Sequence, residues 1–384
     1  MPFASALSRH PVASEAVGEV AGAVLERLGE RPDLALVAVT RHHAGALEDI
    51  GATVEAALRP SAVVGCAAEA VVGTATELED VAGISLIAGR AGPVLELAIE
   101  AHRAADGSWR FVGWPLAHDV EPSVLVLLCD PFTFPTVEFL RRLESSHPGM
   151  PVLGGQASGG RGPGGTRLLS GRRVTSAGAV GVLVGGGVEV EPVVSQGCRP
   201  YGHVLTVTRA EGNVLYTLAG RAALECLVEQ SRGALGPDEI ARIGANGLYL
   251  GRLVDERIVD PGPADFVVRT IVGVDRSSGA VALDDRVPLG STVRFCLRDA
   301  GTAHDDLRHS LHGREADAAL AFVCQARGAR FFGSEHHDAR ALERALGPVP
   351  VAGFFAAGEI GPVGGRSFLL TNSATLALVR DRPS

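Results

Sequence analysis

Continuous runs of apolar residues alternate with helix-length segments along this chain, and the alternation occurs three times. Each copy begins with an apolar run typical of a strand that is covered on both faces. A helix-length segment, a second short strand, a glycine-bounded loop and a third strand follow. The first strands are LALVAVT (34–40), VLVLLC (124–129) and ALAFVC (319–324). The second strands are AVVGC (62–66), PVLGG (151–155) and PVAGF (350–354), and the third are GISLIAG (83–89), GAVGVLVGG (178–186) and ATLALV (374–379).

The glycine-bounded loops of the three copies share one spacing. Each has a Gly, an Ala three residues later and a second Gly eight residues after the first, in VGCAAEAVVG, LGGQASGGRG and AGFFAAGEIG. The shared spacing favours a repeated β-α-β-loop-β unit over coincidence. Residues 203–274 contain a weaker pattern that we interpret as a degenerate fourth copy.

Four such units in two pairs predict an α/β fold, specifically a two-lobed, pseudo-symmetric protein. The pattern breaks near residues 190–202, where VEVEPVVSQGCRPYG contains two Pro and two Gly. We therefore expect domains at 1–200 and 201–384. Because parallel strands joined by helices place ligands at the carboxyl ends of the strands, we expect a site at the loops that follow them.

Composition excludes several classes of function. The 384 residues suit two or three domains, and a net charge of −9 argues against a nucleic-acid partner. All 35 basic residues are Arg, so chemistry that needs a lysine amine, such as a Schiff base or a P-loop, is excluded.

The cysteines and the chain's hydropathy indicate a compartment. Six widely spaced Cys without a C-x-x-C pair are typical of reduced thiols. The first residues, MPFASALSRHP, lack the pattern of a signal peptide, and no uninterrupted apolar stretch reaches 18 residues. We therefore expect a cytoplasmic protein without a membrane partner.

Several segments together resemble the FIST (F-box and intracellular signal transduction) family. CDPFTFP (129–135), LGGQASGG (153–160) and GAVGVLVGG (178–186) look like its FIST N domain. The run 193–227 resembles the junction between the FIST N and FIST C domains, and 266–299 and GFFAAGEIGP (353–362) look like FIST C. The resemblance implies a FIST N-like domain over 1–200 and a FIST C-like domain over 201–384. It also implies a sensory module for a small ligand such as an amino acid. No attached output domain is recognisable, so we expect a separate signalling partner.

The glycine-rich segments 153–162 and 353–362 are the main candidates for the ligand site. Glycines allow close backbone approach and leave N–H groups free to hold an anion, and Glu359 could receive a ligand's amino group. The alternative is that the glycines only permit tight turns, and that Glu359 caps a helix or pairs with an Arg. The candidate ligand-binding residues here are Gly154, Gly155, Gln156, Ser158, Gly358 and Glu359.

Two further candidates lie at or in strands. Asp130 follows the first strand of the second copy, where it could either contact a ligand or cap a turn. Arg269, within the apolar run FVVRTIV, is either paired internally or faces a ligand carboxylate.

Catalytic and metal chemistry have weaker signals. Cys129 could be the nucleophile of an acyl- or amide-transfer enzyme if His147 or His203 were its base. However, Cys324 ends the first strand of the third copy as Cys129 ends that of the second, which suggests that cysteine serves packing at this position. Asp305, His309 and His312 share one helical face, but the segment is polar all round, so we expect no metal site.

We therefore expect no cofactor and favour a binding protein over an enzyme. The main hypothesis is a small-ligand sensor. A protein-interaction scaffold and a Cys129 enzyme are the alternatives.

Overall fold

The three first strands identified from the sequence are strands in which every residue is buried. The computed structural model describes residues 2–115 and 123–381, and within these the side chains of 242–246 are not described. Its mixture of helices and mixed sheets confirms the α/β class.

Among the described residues, the chain forms eight α-helices and twenty-five strands, and three of these helices and fourteen of these strands lie in its first half. The helices are α1 (Ala13–Leu28), α2 (Leu47–Leu58) and α3 (Thr136–Ser146). The first strands are β1 (Phe3–Ser8), β2 (Leu34–Thr40), β3 (Ala62–Ala68), β4 (Ala70–Gly73), β5 (Thr76–Glu79), β6 (Ile84–Gly89) and β7 (Val94–Arg103). They are followed by β8 (Trp109–Val112), β9 (Val124–Cys129), β10 (Val152–Ala157), β11 (Leu168–Ser170), β12 (Arg173–Thr175), β13 (Ala179–Val184) and β14 (Val188–Ser195).

The second half adds five helices and eleven strands. The helices are α4 (Ala223–Ala234), α5 (Pro237–Asn246), α6 (Ala300–Leu311), α7 (Ala329–Phe332) and α8 (His337–Leu346). The next strands are β15 (Cys198–Glu211), β16 (Val214–Leu218), β17 (Arg221–Ala222), β18 (Leu248–Leu253), β19 (Phe266–Asp275) and β20 (Ala280–Leu283). The last are β21 (Thr292–Arg298), β22 (Ala318–Cys324), β23 (Val351–Val363), β24 (Arg366–Leu370) and β25 (Ala374–Asp381).

The chain forms two compact units, one made of residues 1–194 and 308–384 and the other of residues 195–307. The first unit contains a six-stranded sheet with the order β1-β6-β2-β3-β11-β12. It also contains a larger sheet whose main path is β14-β25-β22-β23-β10-β9-β13-β7-β8. Apolar side chains of both sheets share one buried cluster, which is the main core of this unit.

Strand pairing in the first unit repeats three times. β2 and β3 are parallel, and β6 runs antiparallel to β2 on its other side. The trios β13-β9-β10 and β25-β22-β23 have the same order and the same directions. The antiparallel pairing of β10 with β23 joins the second trio to the third at the middle of the larger sheet.

The first glycine of each repeat has one structural reason. Gly65, Gly154 and Gly353 lie opposite the parallel first strand of their own repeat. A Cβ atom at these positions would lie 2.3, 1.9 and 1.8 Å from the carbonyl oxygen of the paired residue. Only glycine permits that approach, so the shared spacing records a packing requirement of the repeat.

The second unit is a seven-stranded antiparallel sheet with the order β15-β21-β18-β19-β20-β16-β17. β15 also pairs with β16, so six of the strands close on themselves around an apolar core to which α4 contributes. The predicted fourth copy is therefore wrong: its strands form antiparallel pairs, not the parallel pair of a β-α-β unit. Among the described residues, no helix is both long and apolar enough to cross a bilayer.

Candidate functional site

The candidate residues from the sequence fall in both units. Seven lie in the first unit: Asp130, Gly154, Gly155, Gln156, Ser158, Gly358 and Glu359. Arg269 lies in the second unit.

The expectation that 353–362 is a loop is wrong, because the whole segment lies within the single strand β23. The first half of 153–162 is also strand, and only residues from Ser158 onward form a loop. Gly155 lies opposite Glu359 and Gln156 lies opposite Gly358 in the antiparallel ladder between β10 and β23. The glycines therefore serve sheet packing here.

Asp130 is buried at the end of β9 and organises a turn. Its Oδ2 accepts a hydrogen bond of 2.6 Å from the Thr133 hydroxyl, and its Oδ1 accepts one of 2.6 Å from the Thr166 hydroxyl. Thr133 in turn accepts a hydrogen bond from the backbone N–H of Gly178. Of the two roles considered for Asp130, these contacts favour the turn cap.

Ser158 ties three elements together at the carboxyl end of β10. Its buried hydroxyl donates to the carbonyl of Phe355 in β23 and accepts a hydrogen bond of 2.8 Å from the backbone N–H of Glu69. Arg41 donates to the carbonyl of Ser158 and forms an ion pair of 3.2 Å with Glu69. Gln156, which is half-buried, donates to the Thr136 hydroxyl.

Arg269 is buried and paired within the second unit. Its guanidinium lies 3.2 Å from the Asp285 carboxylate. It also lowers the pKa of Asp284, although burial of that carboxyl outweighs it and the net shift is upward. Internal pairing, one of the two roles considered for Arg269, therefore accounts for the burial of its charge.

Glu359 is the candidate residue with the most unusual surroundings. Its side chain is fully buried, and its Oε2 accepts hydrogen bonds of 2.9 and 2.8 Å from the backbone N–H and the hydroxyl of Ser373. Its Oε1 has no hydrogen-bond partner by distance and angle. Burial raises the pKa of Glu359 to about 8, although Ser373, the thiol of Cys324 and the charge of Arg327 lower it in part. The carboxyl group is thus largely protonated at pH 7.

Arg327 and Asp338 form a buried ion pair next to this carboxyl. The guanidinium donates two hydrogen bonds, from Nε to Oδ2 at 2.8 Å and from Nη2 to Oδ1 at 3.0 Å. Both side chains are at most 2% exposed. Burial alone would raise the pKa of Asp338, but Arg327 and His337 outweigh it and lower that pKa.

Two acidic side chains of β5 bind backbone N–H groups at the starts of α7 and α8. Glu77 is buried and accepts a hydrogen bond of 2.9 Å from the backbone N–H of Ala339, in the first turn of α8. Burial and then the negative charge of Asp338 raise the pKa of Glu77. Glu79 accepts a hydrogen bond of 2.9 Å from the backbone N–H of Ala329, at the start of α7.

Aromatic side chains cover the ion pair. The His337 ring stacks on Phe332 with 3.4 Å between ring centroids, and its Nδ1 lies 2.9 Å from Asp338 Oδ1. The guanidinium carbon of Arg327 lies 5.2 Å from the centre of the Phe332 ring. We call Glu77, Cys324, Arg327, His337, Asp338, Glu359 and Ser373 the buried polar cluster.

Sequence reasoning found only Glu359 among these residues. It assigned Cys324 to packing and proposed no role for the other five residues. One feature of the sequence could have indicated the cluster, since Arg327 closely follows the buried strand β22, much as Asp130 follows β9. Nothing in the sequence links Glu77 to Asp338, since the two are 261 positions apart.

The surroundings of Cys129 do not suit a nucleophile. Its thiol is fully buried, and burial raises its pKa to about 12, whereas a reactive cysteine needs a lowered pKa. The Thr136 hydroxyl lies 3.4 Å from the sulfur, within hydrogen-bonding distance. Within 2–115 and 123–381, no three His, Cys, Asp or Glu side chains are placed to hold a metal ion.

Comparison with known proteins assigns the chain to a family. The model of the FIST N domain matches residues 33–221, and that of the FIST C domain matches residues 219–362. The chain belongs to the FIST family. FIST domains are in general sensory domains of signal transduction.

This FIST protein also has relatives of the same length. It is 40% identical over 381 residues to an uncharacterized protein of Mycobacterium bovis, with 97% of each chain covered. It is 38% identical over 386 residues to an uncharacterized protein of Mycobacterium tuberculosis, with 98% of each chain covered. The similarity therefore extends across both FIST domains.

Proposed function

We propose that this FIST protein is a sensory module that binds a small, amine-bearing ligand at Glu359 in its first unit. The family supports the sensory role, and Glu359 supports the site. In its ionised form, a buried carboxyl group with one oxygen lacking a hydrogen-bond partner needs an additional donor, because an unsatisfied buried polar atom costs about 1–3 kcal/mol. An ammonium group supplies both the donor and the countercharge.

The protonation state of Glu359 makes the affinity for this ligand depend on pH. The carboxyl group is largely protonated at pH 7, so an ammonium ligand must displace the proton to form an ion pair. Its affinity therefore rises as the pH increases toward 8. A carboxylate ligand would instead accept a hydrogen bond from the protonated form, and its affinity would fall over the same range. An amino acid with a free amine belongs to the first class.

A thermal-shift screen tests the proposal. Amino acids, simple amines and small carboxylates are compared with wild type, Glu359→Gln and Glu26→Gln, whose exposed side chain lies on α1. A ligand at a hundred times its Kd stabilises the protein by about 2.7 kcal/mol. We expect a shift with an amine that is retained in Glu26→Gln and lost in Glu359→Gln. The absence of a shift with every amine, or a shift unaffected by Glu359→Gln, would reject the Glu359 site.

A scaffold function is the second candidate, and one observation favours it. Among the described residues, twelve large apolar side chains are exposed, and seven of them lie in the second unit, although that unit is the smaller one. These seven are Val204, Val228, Ile240, Val259, Val272, Val274 and Leu289. A contiguous patch of such side chains would mark a surface for a partner protein.

The sensor's output is also part of the proposal. We propose that a separate cytoplasmic signalling protein reads the ligand-bound state. If Val272→Ser and Val274→Ser abolish capture of a partner but leave the ligand-induced shift intact, the two functions reside in different units.

A further inference from the structure

A short covering segment, residues 325–338, connects the end of β22 to the start of α8. It begins with a 3₁₀ turn at Gln325–Arg327, continues through α7 and ends in the first turn of α8. Three of its residues contribute the ion pair and the stacked ring of the cluster: Arg327, His337 and Asp338. The ion pair therefore joins the two ends of the segment to each other.

β5 holds the covering segment at two points. Glu79 binds its backbone at Ala329, and a Cβ atom at Gly328 would lie 2.1 Å from Glu79 Oε2, so the approach is close. Glu77 binds the backbone N–H of Ala339 just past the segment's end, and its own N–H donates to Nδ1 of His336 at 3.1 Å.

His336 adopts a sterically unfavourable backbone conformation where it contacts Glu77. Its φ is 63°, in the left-handed region where only glycine lies without steric cost. The contacts with Glu77 hold the segment in this conformation, so weakening them releases strain at the same place.

The charges that face Glu77 are unbalanced. Besides burial, the charges of Asp338 at the start of α8 and of Glu79 on its own strand raise its pKa, and the backbone N–H groups of Ala339 and Asp338 lower it only in part. His336 accepts a hydrogen bond from its backbone, and Arg327 and His337 act on Asp338. Arg327 is bound in bidentate fashion to Asp338, so its charge is already matched. An ionised Glu77 would therefore place an additional negative charge in a buried site beside two other carboxylates.

We propose that Glu77 is a proton-operated latch, whose bound proton keeps residues 325–338 closed on β5 and whose loss to solvent loosens them. The latch operates without any ligand and is thus independent of the proposed binding at Glu359.

Hydrogen exchange of the full-length protein tests the latch. Protection factors of the amides of 329–339, corrected for intrinsic exchange at each pH, are measured from pH 5 to pH 9 and compared with those of α2. The closed state binds one more proton than the open state below the pKa of Glu77. We therefore expect protection to fall by about tenfold per pH unit and to level off above that pKa. The amides of α2 should lack this dependence.

Two variants test whether Glu77 causes the pH dependence of protection. Glu77→Gln preserves the shape of the side chain and the acceptor for Ala339, and it should abolish the pH dependence of protection in 329–339. Glu335→Gln removes an equal charge from an exposed position of the same segment and should leave the dependence intact. Protection that is independent of pH in the wild type overturns the proposal without reference to any variant. A dependence that persists in Glu77→Gln overturns the assignment to Glu77.

Discussion

At the scale of single residues, the burial of Glu359 couples proton binding to folding. Its carboxyl group is fully buried and has a pKa of about 8, against 4.5 for the free side chain. The folded protein therefore binds this proton more tightly than the unfolded chain does. The resulting stabilisation is fully present below about pH 4.5 and is progressively lost as the pH rises to about 8.

The variant Glu359→Gln should remove this contribution to the pH dependence of stability. Gln retains an oxygen that can accept from Ser373 but does not titrate, so the variant and the wild type should have similar stability near pH 5. Near pH 9 the variant should be more stable, by a few kcal/mol. Urea unfolding at both pH values measures the difference, and an equal difference at both would contradict the raised pKa.

A second residue-scale prediction concerns the glycines. Gly154→Ala should destabilise the protein by several kcal/mol, since its Cβ would lie 1.9 Å from the Leu127 carbonyl oxygen and the φ of Gly154 is 144°. Gly162→Ala is the control from the same glycine-rich segment. No atom lies within 4 Å of its Cβ position, and we expect a change below about 1 kcal/mol. Equal effects in thermal unfolding would refute the packing explanation of the repeat.

At the scale of elements, the Arg327–Asp338 pair fastens the end of β22 to the start of α8. Arg327→Met should cost about 3–5 kcal/mol, because it leaves the Asp338 carboxylate buried without its cation. The double variant Arg327→Met/Asp338→Leu should recover much of that loss, since no uncompensated charge remains. Arg141→Met, which breaks a half-exposed ion pair with Glu138, should cost about 1 kcal/mol or less. Additive effects of the two buried substitutions in urea unfolding would disprove this coupling.

Local patterns explain why some elements were predictable and others were not. β2, β9 and β22 are buried on both faces, so each is a continuous apolar run that can be recognised without knowledge of its neighbours. Gly353 and Glu359 were placed in a loop because glycine usually marks a turn, whereas here close packing of strands requires it. The buried polar cluster depends on contacts between β5 and α8, and no local pattern encodes them.

At the scale of the whole molecule, the sequence pattern predicts the three strand trios but not the closed sheet. The trios repeat one order and one set of directions, and the sequence pattern revealed all three. In residues 195–307 the same kinds of apolar run form antiparallel pairs, because an apolar run does not specify the direction of its neighbour. The relatives match this chain over nearly its full length, across both FIST domains.

The central claim is that a small amine binds at Glu359, and proton release tests it most directly. Calorimetric titration of the best amine from the thermal-shift screen, in two buffers of different ionisation enthalpy at pH 7, counts the protons that leave on binding. We predict release of nearly one proton per ligand by the wild type and by Glu26→Gln, and loss of binding in Glu359→Gln. Binding without proton release, or with unchanged affinity in Glu359→Gln, would contradict the account.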